Sequence, residues 1–330
     1  MKAVGLLPSS PSGSPYTPTN PAPPSAIHIS SIPTPPSPPP PGHLIILMKA
    51  STVIRDSLTW PELYASPKPA HLGNDFAGIV AETSPDEKEF RPGDEVYGMA
   101  RAERGGTWAQ YALVASEEAE RKPKGLGWEE AAALPLSALT ADQALFVHAG
   151  LEVGARAGKR VLVTGAGGGV GMFVVAFAAA AGHDVVGACG DEGRDGEFVR
   201  GMGAAVVVEY GDLKMQGEFD VVVDTVGGEV LRGCWEVVKG DGALVSVDTA
   251  SWKFVEEHGR DGLSSGKEGV RALFFIVEPS RQSMERISRA VETKGVKGLV
   301  AKTFPFEQAR EAYEVAASGG YGRGKVVLTM

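Results

Sequence analysis

"VLVTGAGGGVGMF", residues 161–173, sets five glycines between a β-branched run and a long apolar stretch. A bound pyrophosphate needs a backbone free of Cβ atoms to approach it, and a helix start whose N–H groups donate to its charge. "VLVTG" supplies the strand, and Val170 onward the helix. No register gives a strict G-x-G-x-x-G; the workable one is Ala166-x-Gly168-x-x-Gly171, with alanine in the first glycine's place. Ala166, Gly168, Gly169, Val170 and Gly171 are therefore the candidate phosphate cradle, set against a tight turn without a ligand.

Outward from the loop, strand-like and helix-like segments alternate: "KRVLVTGA", the apolar helix, "HDVVGACG", "GEFVRGM", "AAVVVEY", "FDVVVDTVGG", "LRGCWEVVK", "GALVSVD". Apolar β runs buried on both faces with helices between them describe a parallel, doubly wound sheet. An NAD-preferring site places an acid at the end of the second strand, about 20 residues on, for the ribose 2′-hydroxyl. Ala188, Cys189 and Gly190 stand there instead, with Arg194 in the turn beyond. NADPH is the expected cofactor, because no carboxylate at the strand end repels a 2′-phosphate and Arg194 can neutralise it. Asp191 and Glu192 follow closely and keep a ribose contact open.

Upstream, short apolar runs from His43 to Val114 are separated by turn residues such as "RPGD" and "RGG", the texture of a mostly β domain. Before it, residues 8–41 are rich in Pro, Ser and Thr and lack the apolar surface to fold alone. They read as a mobile surface loop with one added strand in "AIHISSIP"; "PTPPSPPPP" also has the composition of a polyproline ligand. At 330 residues, two domains are expected.

The chain is 43% hydrophobic and carries a net charge of −9 without a dense basic cluster, which argues against nucleic acid and anionic lipid as partners. No apolar run reaches membrane-spanning length, so no membrane association is expected. Two cysteines, Cys189 and Cys234, are too few for a disulfide framework or a thiolate zinc site. With no transit-like N-terminus recognised, the expected compartment is the cytoplasm. Six histidines lie scattered without metal or relay spacing and read as surface residues.

The order "LGNDFAGIV", "FRPGDEVYG", "GGTWAQYALV", "EEAAALPLSALTADQAL", "VLVTGAGGGVG", "FDVVVDTVGG", "GKVVL" resembles the medium-chain dehydrogenase/reductase superfamily, in its zinc-independent quinone oxidoreductase and enoyl reductase branch. The likeness runs over nearly all of the chain outside the Pro-rich tract. It implies an α/β fold: a GroES-like catalytic domain over residues 1–135, a Rossmann domain over 136–271, and a return segment, 272–330, completing the first domain. A cleft between the domains would bring nicotinamide and substrate together. Zinc-dependent relatives carry Gly-His-Glu where this chain has Gly73-Asn74-Asp75, and their four-cysteine lobe is absent, so no metal is expected.

By the same resemblance Thr140 would lie near the nicotinamide and phosphate, Tyr210 near the 2′-phosphate, and Val226 and Val247 along the ribose and nicotinamide. Phe275 and Val277 would close the cleft, and Lys325 matches the terminal Gly-Lys pair. Hydride delivery to an enone or quinone builds negative charge on the carbonyl oxygen, which without a Lewis acid needs a hydrogen-bond donor. Tyr64, eight residues after Asp56 in "VIRDSLTWPELY", holds the family's spacing for that donor; the other reading is an ordinary loop aromatic. Three departures stand out: Val53 replaces an asparagine, Asp248 a frequent glycine, and Gly211 a frequent lysine.

The leading expectation is an NADPH-dependent reductase of a small enone, enoyl or quinone substrate, with a fungal secondary-metabolic role and a trans-acting polyketide enoyl reductase as close variants. A non-redox cyclase or binding protein on the same scaffold is the alternative. The oligomeric state is left open by the sequence; by the resemblance a homodimer would pair through the edge strand of the Rossmann sheet, for which "VRALFFIVE" is the apolar candidate.

Overall fold

The computed structural model describes residues 1–7, 16, 22–54, 58, 71–152 and 158–330. The alternating stretch inside the Pro-rich tract has a partner: β1 (Lys2–Leu6) and β2 (Ile27–Ser31) pair antiparallel, Lys2 facing Ser31 and Leu6 facing Ile27. Bridges Ala3–Ala109 and Gly5–His71 attach the hairpin to the body behind it. Ala22, Ala26 and Ile27 join a core with Trp108 and Tyr313, so part of the tract read as a surface loop is core-forming.

Two compact units are present: residues 1–136 with 278–330, and residues 137–277. In the first, β3 (His43–Val53), β4 (Asp75–Thr83), β5 (Glu95–Met99), β6 (Tyr111–Ala115) and β7 (Ala119–Arg121) form the mostly antiparallel sheet that the turn-rich sequence predicts. Helices α1 (Trp128–Ala132) and α2 (Pro135–Asp142) follow. Burial in β3 runs on both faces past its middle, and its residues Leu44, Ile46 and Met48 meet Phe76, Val80 and Val96 of β4 and β5.

The second unit carries β8 (Arg160–Thr164), α3 (Gly171–Ala180), β9 (Asp184–Cys189), α4 (Glu192–Gly201), β10 (Val206–Glu209), β11 (Phe219–Asp224), α5 (Gly228–Val237), β12 (Val238–Ser246), α6 (Phe254–Arg260) and β13 (Arg271–Phe274). All strand pairings in its sheet are parallel, in the order β10-β9-β8-β11-β12-β13. From β8 the chain winds outward one way through β9 and β10, and from β11 the other way through β12 and β13. The order therefore reverses between β8 and β11, the crevice where such sheets bind ligands. Helix α3 buries every residue from Gly171 to Phe177, as an all-round apolar helix must.

Strand β13 corrects the boundary read at 272. Ala272–Phe274 pair with Leu244–Ser246 of β12, so they belong to this sheet. The return comprises α7 (Arg281–Lys294), β14 (Val300–Pro305), α8 (Ala309–Ser318) and β15 (Lys325–Thr329). β15 pairs antiparallel with β3 and parallel with β14, which places the chain's end inside the first unit's sheet. Among the described residues no helix is long and apolar enough to cross a membrane.

Candidate functional site

The glycine loop joins β8 to α3 at the reversal of strand order. Gly165 turns the chain out of the strand with φ +64°, and its carbonyl accepts from Gly168 N at 2.8 Å. A Cβ on Gly171 would collide with that same Gly165 carbonyl, so the first residue of α3 must be glycine for the helix to start this close to the strand. Val170, the N-cap, makes no side-chain cap; Met172 N and Phe173 N donate to Gly168 O and Val170 O at 3.1 and 3.0 Å, and the positive end of the helix faces the loop. Gly168 and Gly169 are exposed, and Ala166 is buried with its N–H donating to Ala188 O at 3.0 Å. The alanine in the first glycine's position thus packs toward β9. This strand, turn and bare helix start fit the pyrophosphate of a dinucleotide.

Arg194, Tyr210, Val226 and Val247 gather at the same end of the sheet. Asp191 caps α4, its Oδ1 accepting from Arg194 N at 3.0 Å, and Glu192 pairs with Arg200. The two acids that left a ribose contact open both have other partners. The Arg194 guanidinium pairs with Asp195, Nη2 to Oδ2 at 2.7 Å. Burial pushes the Tyr210 phenol up, against a hydrogen bond from the Gly165 backbone that lowers it. A Cβ on Gly165 would lie 3.1 Å from Val226 Cγ2.

Beneath these residues is a buried polar knot absent from the sequence reading. Asp224, fully buried at the end of β11, accepts from Thr164 Oγ1 at 2.6 Å, Ser246 Oγ at 2.9 Å and Gly227 N at 3.0 Å. Burial holds its carboxyl above the ordinary range, with Thr164 and Ser246 opposing. Asp248, in the place of a frequent glycine of the family, accepts from Ser251 Oγ at 2.6 Å, and its carboxyl packs against Gly227. The signal for Asp224 was there: an acid ending the β run "FDVVVD" at the C-terminal edge of a parallel sheet.

In the first unit Asp75 is 1% exposed; Oδ2 accepts from Thr52 Oγ1 at 2.5 Å and Oδ1 from Leu136 N at 2.8 Å. Burial raises its pKa, while the Lys325 charge and these hydrogen bonds lower it. Lys325, expected at the cofactor, thus sets its charge toward Asp75. Asn74 turns its amide N–H groups to the carbonyls of Ala100 and Arg101, at 3.3 and 3.4 Å. Among the described residues no group of three or more His, Cys, Asp or Glu side chains could hold a metal.

Thr140 is buried on α2, and Phe275 stacks on His148 with ring centroids 4.1 Å apart. Val277, half-buried, ends the second unit. Tyr64 and Asp56 lie outside the described residues. Tyr97 and Trp108 are fully buried packing residues. Two histidines read as surface residues are buried instead: His258 Nδ1 accepts from Trp235 Nε1 at 2.9 Å, and His183 is 9% exposed.

Family models match both parts of the chain: the alcohol dehydrogenase GroES-like domain over residues 40–124 and the zinc-binding dehydrogenase over residues 202–328. A probable zinc-binding oxidoreductase, mitochondrial, of Arthroderma benhamiae is 37% identical over 301 residues, covering 87% of this chain and 88% of that protein. The human NAD(P)H oxidoreductase RTN4IP1, mitochondrial, is 31% identical over 284 residues, covering 79% and 71%. Among solved structures, the quinone oxidoreductase from Coxiella burnetii superposes with a TM-score of 0.77 at 22% identity, covering 100% of both chains, which shows the shared fold. These relatives overturn the cytoplasmic expectation, since the two named here are mitochondrial proteins. A low cysteine count reports reduced thiols, and that condition does not single out the cytosol.

Proposed function

The chain belongs to the medium-chain dehydrogenase/reductase superfamily, with a GroES-like domain and a Rossmann-type sheet, and from that premise we propose that it is a zinc-independent, NADPH-dependent reductase of quinones or activated C=C bonds. The observation that carries the reading is the glycine loop at the strand-order reversal, where Gly171 sits against the Gly165 carbonyl beneath an uncapped helix start. When bound, the reduced nicotinamide supplies a hydride.

The chain's own groups bind and orient. Gly168 to Gly171 hold the pyrophosphate, Arg194 and Tyr210 take the 2′-phosphate, and Val226 and Val247 line the ribose side. Tyr64 donates a hydrogen bond to the substrate carbonyl oxygen, whose charge grows as hydride arrives. Asn74 and Asp75, occupied by other partners, support the zinc-free reading. The compartment we infer is the relatives' own, the mitochondrion, and a second copy meets this one at the β13 edge.

The deciding experiment titrates the purified protein with NADPH and NADH, then follows cofactor absorbance on adding quinones and enones. Substrate-dependent NADPH oxidation is expected; binding without oxidation across the panel points to the non-redox alternative, and absence of binding overturns the reading of the glycine loop.

A further inference from the structure

The first turn of α4 holds an acid where a phosphate-binding loop gives no reason for one. Asp195 is 7% exposed and packs beneath the glycine loop: a Cβ on Gly167 would lie 3.0 Å from its Cγ and 3.2 Å from its Oδ1. Arg194 grips it with a fork, Nη2 at 2.7 Å from Oδ2 and Nε at 3.3 and 3.2 Å from Oδ1 and Oδ2. Arg194 is also the cation that the proposed function assigns to the 2′-phosphate.

One guanidinium carries one positive charge, whatever the number of its donors. A 2′-phosphate reaching the exposed Arg194 guanidinium meets a cation already paired, with a nearly buried carboxylate fixed beside it. A ribose 2′-hydroxyl carries no charge and is indifferent to that pairing. Asp195 therefore weighs against the phosphorylated cofactor alone.

We propose that Asp195 is a specificity-determining residue: by holding Arg194 it lowers affinity for NADPH relative to NADH and narrows the preference of the site. The proposal rests on the reading of the glycine loop as a nicotinamide dinucleotide site. It explains why an acid is tolerated under the loop: Arg194 keeps the acid's burial affordable in the absence of ligand. It also places the selectivity element in the helix after β9, outside the strand-end position where an acid is normally sought.

The test is calorimetric titration of the full chain with NADPH and with NADH, on wild type, Asp195→Asn, Asp195→Ser, Arg194→Gln and the Arg194→Gln/Asp195→Asn double variant. Thermal unfolding without cofactor serves as the control for fold. Asp195→Asn is expected to tighten NADPH roughly three- to tenfold, the scale of one partly screened charge pair, and to leave NADH within twofold. Arg194→Gln weakens NADPH, and in its background Asp195→Asn no longer changes the NADPH/NADH ratio.

An unchanged ratio in both Asp195 variants overturns the proposal, as does an equal change for both cofactors, which marks a merely structural acid. If Arg194→Gln weakens NADPH while the Asp195 variants leave the ratio alone, the proposal falls and the reading of the site stands. If wild type binds neither cofactor, both fall together.

Discussion

Thr164 Oγ1 donates to Asp224 Oδ1 across 2.6 Å and so ties the end of β8 to the end of β11, where the strand order of the parallel sheet reverses. The same carboxylate accepts from Ser246 at the end of β12 and from Gly227 in the loop after β11. Three strand ends thus converge on one buried acid beneath the glycine loop. The loop's geometry depends on groups that touch no ligand.

Thr164→Val tests that dependence. It removes one donor to a buried carboxylate and the acceptor of Thr225 N, at a cost of about 1–3 kcal/mol. Burial raises the Asp224 pKa, so its contribution to stability is fully present below the ordinary aspartate value of about 4 and is lost as pH rises through the folded-state value. The Thr164 bond favours the charged form, so the variant loses more stability at pH 8 than at pH 5. Urea melts at the two pH values check this, and an equal loss at both would refute it.

Two glycines of the loop separate fold from binding. Gly171→Ala places a Cβ into the Gly165 carbonyl, and overpacking against backbone is expected to cost about 1–3 kcal/mol and lower the melting temperature. Gly168 is exposed, its added Cβ 3.1 Å from Gly165 O, so Gly168→Ala should leave stability within about 0.5–1 kcal/mol while weakening NADPH roughly tenfold. Melting curves and titrations read the two effects separately. A Gly168→Ala protein with unaltered affinity would move the pyrophosphate elsewhere.

What could be read in the sequence was what periodicity and turn chemistry write locally. The β runs "VLVT" and "VVVD" announce strands buried on both faces, and the glycines between "VLVT" and "MFVVAF" announce a close strand-to-helix approach. Asp195 escaped because its role comes from the tertiary position of α4. Its one signal was spacing, since Asp195 and Val199 are four apart on the buried face of a helix. His258 escaped similarly: its hydrogen-bond partner Trp235 lies 23 residues away on another helix. The boundary at 272 cuts through "VRALFFIVE", a stretch that itself reads as an edge strand; Arg271–Phe274 pair with β12, and that pairing keeps the strand in the second unit.

Zinc gives a third prediction. Asn74 donates to backbone carbonyls and Asp75 is taken by Thr52 and Leu136, so dialysis against EDTA should leave activity unchanged. Elemental analysis of the purified protein should find far less than one zinc per chain. Stoichiometric zinc whose removal abolishes turnover would show that donors other than these supply the metal site.

The buried histidines set the acid limit of the second unit. Burial lowers the pKa of His258, with the Arg232 charge adding to it, and burial lowers that of His183. Both ring nitrogens of His183 are buried and have no hydrogen-bond partner among the described residues, so protonation would put a poorly solvated charge at the start of β9, only partly offset by Asp220. For a depressed histidine the stability is fully present above the unfolded value of about 6.5 and is lost as pH falls below it. Melting temperature should therefore drop between pH 7 and pH 5, in the range where Asp224 and Asp75 act with the opposite sign. His183→Gln and His258→Gln should each flatten that slope, although each costs stability at pH 8, where the native neutral ring is already accommodated. A wild-type melting temperature that stays level or rises from pH 7 to pH 5, with the same profile in both variants, would show that the rings titrate without strain and that the two aspartates dominate.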